Sequence, residues 1–303
     1  MDKKNRREFL AGISSLGVAA ALWPEKLFAA EENPPVLPEL VHVKGKDAAE
    51  NVRQAMNALG GMKRFISKGD VVMVKPNISW DRTPEQGATT DPIVMKEIVQ
   101  LCFDAGAKTV RVMDHTCNEA RRCYTRSEVA AAVKEIGGVV EFTDDRRLVE
   151  MDIGGEIIKK WKVYRDFVEV DKLINVPIAK HHGLTKVSMA MKSWFGAIGG
   201  KRNQLHQEID QVLVDLTRFF KADLTLLDAY RVLVRNGPQG GNLGDVLKKH
   251  SLIAGTDPVL IDAYGAEKML LLSPKELPFL QLAEKAGLGV TRVDQKQIKR
   301  IKL

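Results

Sequence analysis

From Ala48 to Leu271 the chain trades short β-branched runs for longer segments of helical period, and this regular exchange limits the fold more than any other feature. Val71–Val74, Thr109–Met113, Val139–Phe142, Lys172–Val176, Leu224–Leu227 and Leu252–Ala254 read as strands. Between them Ala48–Leu59, Asp91–Asp104, Ser127–Ile136, Val187–Ile198, Glu208–Phe220 and Pro258–Leu271 read as helices. Such alternation implies crossover units, hence an α/β fold with a mostly parallel sheet and helices on both faces, Rossmann-like in plan. Asp152–Arg165 reads as a hairpin inserted between two units. Asp91-Pro92 and Asp257-Pro258 each supply a capping acid with Pro at the first helical position, and Ser127 is placed to cap the helix after it.

Charge enters the argument once the N-terminus is set aside. Of the net +7, residues 1–30 hold five basic and three acidic residues, so the remainder carries 41 basic and 36 acidic. That mild excess suits a small anionic ligand. With four Trp, four Tyr and ten Phe, little aromatic surface exists for stacking on single-stranded nucleic acid, and no nucleic-acid partner is expected.

The N-terminus reads as an address. Arg6-Arg7-Glu8-Phe9-Leu10 precedes an uncharged run to Trp23 and a small-residue end at Ala29-Ala30, the pattern of a twin-arginine export signal. The run is shorter than the roughly 20 residues a stable span needs, so no permanent membrane span is expected unless the signal stays uncleaved. Phe28 makes a cut after Ala30 irregular. The expected organisation is a signal over 1–30, a Pro-rich linker over 31–38 and one α/β domain over 39–303. The expected location is the periplasm, reached folded through the twin-arginine machinery.

In a parallel α/β sheet, ligand groups gather beyond the carboxyl ends of the strands. Those ends carry Lys75-Pro76-Asn77, Asp114-His115-Thr116-Cys117, Lys180-His181-His182-Gly183, Asp228-Ala229-Tyr230-Arg231 and Gly255-Thr256-Asp257-Pro258. Lys75, Asn77, Lys180, Arg202 and Asp228 are the candidate ligand- or cofactor-binding residues. His182 is a candidate base, and Lys192, among apolar neighbours, a candidate amine of lowered pKa. His182 and His206 are candidate ligands for a transition metal such as nickel or zinc. Two Gly-rich stretches, Gly196–Arg202 and Asn236–Gly241, read either as anion-approaching loops or as plain turns. Asp114, His115 and Cys117 could form half a metal site, and Cys117 could pair with Cys123.

Taken together, Lys75-Pro76-Asn77, Thr89-Thr90-Asp91-Pro92, Pro177-x-x-Lys180-x-His182, Lys192-x-x-x-Gly196, Arg202-x-x-x-His206, Gly237-Pro238 and Asp257-Pro258-x-x-x-Asp262 resemble, in order and spacing, the family called domain of unknown function 362. The resemblance runs from about Asp70 to Met269. Many members of that family are described as iron–sulfur proteins through an attached ferredoxin-like segment. Only Cys102, Cys117 and Cys123 are present here, short of four thiolate ligands, so a cluster within this chain alone is not expected. An Asp-x-Thr run after a strand, followed by His182, Lys192 and His206, is similar to the nickel-pincer lactate racemase family. That similarity implies a catalytic His, a cofactor-anchoring Lys and a metal-ligating His.

Three functions remain open on these residues. The first is an exported metal- or cofactor-dependent enzyme acting on a small anionic substrate at the strand ends. The second is a non-catalytic binding protein for a small anion. The third is an iron–sulfur-associated electron-transfer or assembly partner in a periplasmic complex.

Overall fold

The computed structural model describes residues 37–303; the signal and all but the last two residues of the linker lie outside the described residues. In chain order the elements are β1 (Leu40–Lys44), α1 (Ala48–Ala58), β2 (Val71–Pro76), α2 (Pro92–Asp104), β3 (Thr109–Met113), α3 (Ala120–Arg126), α4 (Val129–Glu135) and β4 (Val139–Glu141). There follow β5 (Leu148–Asp152), β6 (Lys160–Tyr164), β7 (Lys172–Val176), β8 (Ile178–His182), β9 (Lys186–Ser188), α5 (Ile209–Phe220) and β10 (Leu224–Leu233). The chain closes with β11 (Val246–Gly255), α6 (Pro258–Leu270), α7 (Pro278–Lys285) and β12 (Ile298–Lys302). No described helix is long and apolar enough to cross a membrane.

The main sheet runs β12-β1-β11-β10-β7-β2-β3-β4, with β8 beside β10 and β9 beside β8. Pairing is parallel at β2/β3, β3/β4, β2/β7, β7/β10, β8/β10 and β1/β12. It is antiparallel at β1/β11, β10/β11 and β8/β9. Alternate residues of each strand feed opposite faces. Val72, Val74, Val110, Val112, Ile174 and Val176 enter one apolar layer with residues of α1, α2, α3 and α4. Met73, Met113, Leu173, Leu227 and Ile253 enter the other, with residues of α5, α6 and α7. Each fully buried Val or Leu in these layers contributes about 1.5–3 kcal/mol, which is why the helices sit on both faces. The predicted mostly parallel α/β plan is the one observed.

Several local readings change. Val187–Ile198 is not a helix: Lys186–Ser188 pairs with β8, and a 3-10 segment covers Lys192–Ala197. The cause is tertiary. The buried Asp262 carboxylate accepts from the Ala190 and Met191 N–H groups, and Asn175 Nδ2 donates to the Ala190 carbonyl, so side chains take the backbone groups a helix would have used. Ser127 does not cap α4; its hydroxyl donates to the Tyr124 carbonyl, and Glu128 stands at the cap position with positive φ. Asp91 and Asp257 do cap α2 and α6. The inserted hairpin is β5/β6, where the Asp215 carboxylate of α5 accepts from the N–H groups of Glu156, Ile157 and Ile158 in its turn.

Two predicted strands prove longer. Leu224–Leu227 extends to Leu233 and Leu252–Ala254 begins at Val246, because the two form one long antiparallel ribbon. Antiparallel pairing has a positional consequence. Gly255 lies opposite Thr225 at the start of β10, so Gly255-Thr256-Asp257-Pro258 belongs to the far rim and not to the expected ligand rim.

Candidate functional site

After β2 the chain moves outward to β3 and β4, whereas after β7 it moves to the opposite side, to β10. Loops leaving β2 and β7 therefore part company, and a crevice opens at such a switch point. A cleft of about 250 Å³ lies there, and the residues around it include Asn77, Cys117, Lys180, His182, Lys192, Phe195, Arg202 and His206. Six of the eight candidate residues thus share one cleft.

Each is held by an identifiable contact. Asn77 follows β2, and the Thr90 hydroxyl accepts from its N–H while donating to the Val176 carbonyl at the end of β7. Thr90 thereby stitches the two diverging strands together. The Lys180 ammonium, on β8, donates to Asn77 Oδ1 at 3.1 Å and to the Ala88 carbonyl at 2.6 Å. Both acceptors are neutral, and burial pushes Lys180 down to about 7. Lys192 opens the 3-10 segment fastened by Asp262, and its ammonium sits 3.6 Å from the centroid of the Phe195 ring. Burial, with Arg202 and Lys180 nearby, pushes Lys192 down to about 7 as well, although Cys117 acts the other way.

The histidines differ in the nitrogen they leave free. His182 Nδ1 accepts from the Leu184 and Thr185 N–H groups, so its proton belongs on Nε2. Burial, then Lys192 and Lys180, push it down to about 3, which keeps the ring neutral. His206 Nδ1 donates to the Asn203 carbonyl, leaving the Nε2 lone pair free, and its ring tilts against Phe195 with centroids 5.0 Å apart. Burial and Lys192 lower its pKa too.

Lys75 and Asp228 do not line the cleft. Lys75 lies beneath it, fully buried, donating to Asp114 Oδ1 at 2.8 Å, the Ser193 hydroxyl and the Pro76 carbonyl. Burial lowers its pKa while Asp114 opposes the fall. Gly196 passes directly over this pair, where a Cβ would collide with Asp114 Oδ1. Asp228 is inside β10, and its carboxylate accepts from the N–H groups of Asp91 and Tyr230. It tethers the start of α2 and is spent there; burial and the Asp91 carboxylate raise its pKa.

Arg202 reaches the cleft wall, yet its guanidinium donates to the carbonyls of His115, Phe195 and Thr116. It clamps the loop after β3 to the 3-10 segment. Of the Gly-rich stretches, Gly196 and Pro238 reach the cleft, and the Gly237–Pro238 peptide is cis. Gly237 presses on the His181 carbonyl, where a Cβ would collide. The Gly199 N–H is taken by the Lys162 carbonyl and is not offered to a ligand.

The cysteines are all free: Cys102 and Cys123 are buried and Cys117 is exposed on the cleft, so the suggested Cys117–Cys123 bridge is not formed. Burial pushes Cys102 up to about 12 and Cys123 up to about 11. His115 Nδ1 donates to the Ile198 carbonyl and Asp114 is held by Lys75, which dissolves the suggested half-site with Cys117. Among the described residues, no three His, Cys, Asp or Glu side chains lie together so as to hold a metal ion. His182 carries its ring proton on Nε2, which leaves His206 as the imidazole with an unengaged lone pair. A nickel or zinc ion held by both rings does not fit this hydrogen-bond arrangement.

Sequence reasoning missed Ser79, Trp80, Ser188, Ser193, Phe195 and Asn203 as cleft residues. Phe195 was legible as the aromatic three places after Lys192, but only the 3-10 geometry puts its ring under the ammonium. Among the described residues, no carboxylate borders the cleft.

A relative, the Thylakoid-associated protein sll1697 of Synechocystis sp., is 25% identical over 253 residues, covering 80% of this chain and 76% of that protein. The lactate racemase apoprotein of Thermoanaerobacterium thermosaccharolyticum is similar with a TM-score of 0.44 and 12% identity, over 75% of this chain and 56% of that one. A protein of Thermotoga maritima is similar with a TM-score of 0.38 and 12% identity, over 80% of this chain and 60% of that one. This chain thus spans less than two thirds of either solved structure. Residues 72–267, well over half of the chain, match the family described as Domain of unknown function (DUF362), and the chain belongs to that family.

Proposed function

We propose that the protein is an enzyme that takes a small organic anion into this cleft and moves protons on it. One observation carries the proposal: two buried lysines, Lys180 and Lys192, border a cleft that no carboxylate of the described residues lines. A buried ammonium without a counter-ion is costly, and an anionic ligand removes that cost. The volume is below that of drug-sized pockets, which favours a compact acid over a nucleotide.

The cleft groups divide the work. Lys180, anchored by Asn77 and Ala88, holds an anionic group of the substrate. His182 presents Nε2–H as a neutral donor to an oxygen on which negative charge develops. His206, with its free Nε2, is the base. An organic cofactor bearing a carboxylate or phosphate would be held by the same lysines. The twin-arginine segment supports work in the periplasm after export in the folded state.

Calorimetric titration with acetate, lactate and inorganic phosphate tests the proposal. Binding that is lost in Lys180→Met and retained in Lys186→Met, a surface control, is the expected result. No binding of any of these anions overturns it. Binding without any proton exchange into the solvent-labelled carbon acid reduces the protein to an anion receptor.

A further inference from the structure

Lys180 and Lys192 border the same cleft but are wired differently. Lys180 Nζ already donates to two neutral acceptors and is fixed as the cation that holds the anion. Lys192 is nine-tenths buried, and its Nζ has no hydrogen-bond or ion-pair partner among the described residues; its close neighbour is the face of Phe195. The ring face favours the ammonium form, but desolvation and the neighbouring cations Arg202 and Lys180 outweigh it, and an amine desolvated beside cations is in the environment that turns lysine into a nucleophile toward carbonyl carbon. Resting on the anion-cleft reading above, we propose that the substrate class is a small oxo acid, whose carboxylate is held by Lys180 and whose carbonyl carbon forms an imine with Lys192 Nζ.

The step balances with groups already in the cleft. The Nζ lone pair attacks the carbonyl carbon, and the C–N bond forms as the carbonyl π bond opens onto oxygen. That oxygen is hydrogen-bonded by His182 Nε2–H, and His206 Nε2 takes the proton released from nitrogen and passes it to that oxygen, giving the neutral carbinolamine. The carbinolamine oxygen then leaves as water with a second proton, supplied from solvent through His206. Amine, carbonyl and one proton give a protonated imine and water, and no oxidant or reductant is consumed. The cationic imine nitrogen is an electron sink for proton loss at the adjacent carbon, which joins it to the proton transfer proposed above. Burial, which lowers the Lys192 pKa to about 7, supplies free amine near neutral pH.

Borohydride reduces an imine to a stable secondary amine, so the proposal is tested by trapping. The full protein is incubated with pyruvate or acetoacetate, reduced, digested and read by mass spectrometry. The expected result is one adduct on the peptide containing Lys192, heavier by the acid less one oxygen atom. It is absent from Lys192→Met and at least several-fold weaker in Lys180→Met. Adducts spread evenly over surface lysines overturn the proposal. Absence of trapping in a protein that still binds acetate or phosphate calorimetrically overturns the imine and leaves the anion cleft standing, whereas loss of both removes both readings.

Discussion

Replacing Asp114 by Ala should destabilise the protein severely, in a way that high pH relieves. Asp114 and Lys75 are both about 1% exposed and pair at 2.8 Å, and the same carboxylate accepts from the Ile78 N–H at 2.6 Å. Removing one partner of a buried pair strands the other charge, a loss of about 3–5 kcal/mol, against a total stability of roughly 5–15 kcal/mol for a domain. The stranded group is Lys75. Burial already lowers its pKa from 10.5, and Asp114 supplies the opposing pull, so the variant lowers it further. The sign follows from proton counting. Between the depressed folded value and the unfolded value near 10.5 the unfolded chain binds more protons, so stability rises with pH. The slope approaches about 1.4 kcal/mol per pH unit and vanishes above the unfolded value. Urea unfolding followed by Trp fluorescence, at about pH 7 and about pH 9, reads both effects as midpoint shifts at constant slope. A loss below about 1 kcal/mol, or a midpoint in Asp114→Ala that falls as pH rises, would refute the reasoning.

Other consequences are checked as directly. With its pKa near 7, Lys192 should be acylated by a small neutral reagent at mildly alkaline pH well ahead of the surface lysines, as quantified by peptide mass spectrometry; equal rates for Lys192 and the exposed Lys201 would contradict the burial argument. Anion affinity should decline as pH rises through about 7, because Lys180 and Lys192 both lose their charge there, and a flat calorimetric profile would disagree. Arg202→Lys should lower stability by about 1–3 kcal/mol, since an ammonium cannot span the three carbonyls the guanidinium bridges; an unchanged urea midpoint would show that the clamp contributes nothing. Replacing Arg6 and Arg7 by Lys should retain the protein in the cytoplasm on fractionation, and efficient export of that variant would rule out the twin-arginine route.

Period alone made the α/β plan legible, because burying one face of a strand or helix leaves a repeat of 2 or 3.6 that no distant contact erases. The caps at Asp91 and Asp257 were legible for the same reason: an acid before Pro acts within its own turn. So was the strand end that delivers Asn77, whereas Lys180 and His182 lie within β8, a further strand that the local pattern read as the loop after β7. Where partners lie far along the chain, local pattern was silent or misleading. Met189–Met191 looked helical until the Asp262 carboxylate, some seventy residues on, took the backbone N–H groups. Asp228 and Arg202 have the composition of ligand-binding residues, but backbone groups brought in by the fold consume the Asp228 carboxylate and the Arg202 terminal nitrogens. Antiparallel pairing of β10 with β11 sent Gly255–Pro258 to the far rim, a matter of strand direction that no residue type encodes. The contrast between a paired Lys75, an anchored Lys180 and a Lys192 with no hydrogen-bond partner among the described residues is likewise tertiary. Sequence supplies the three ammonium groups, and only the packing around them decides which is paired with a carboxylate, which is anchored to neutral oxygens and which rests on an aromatic ring.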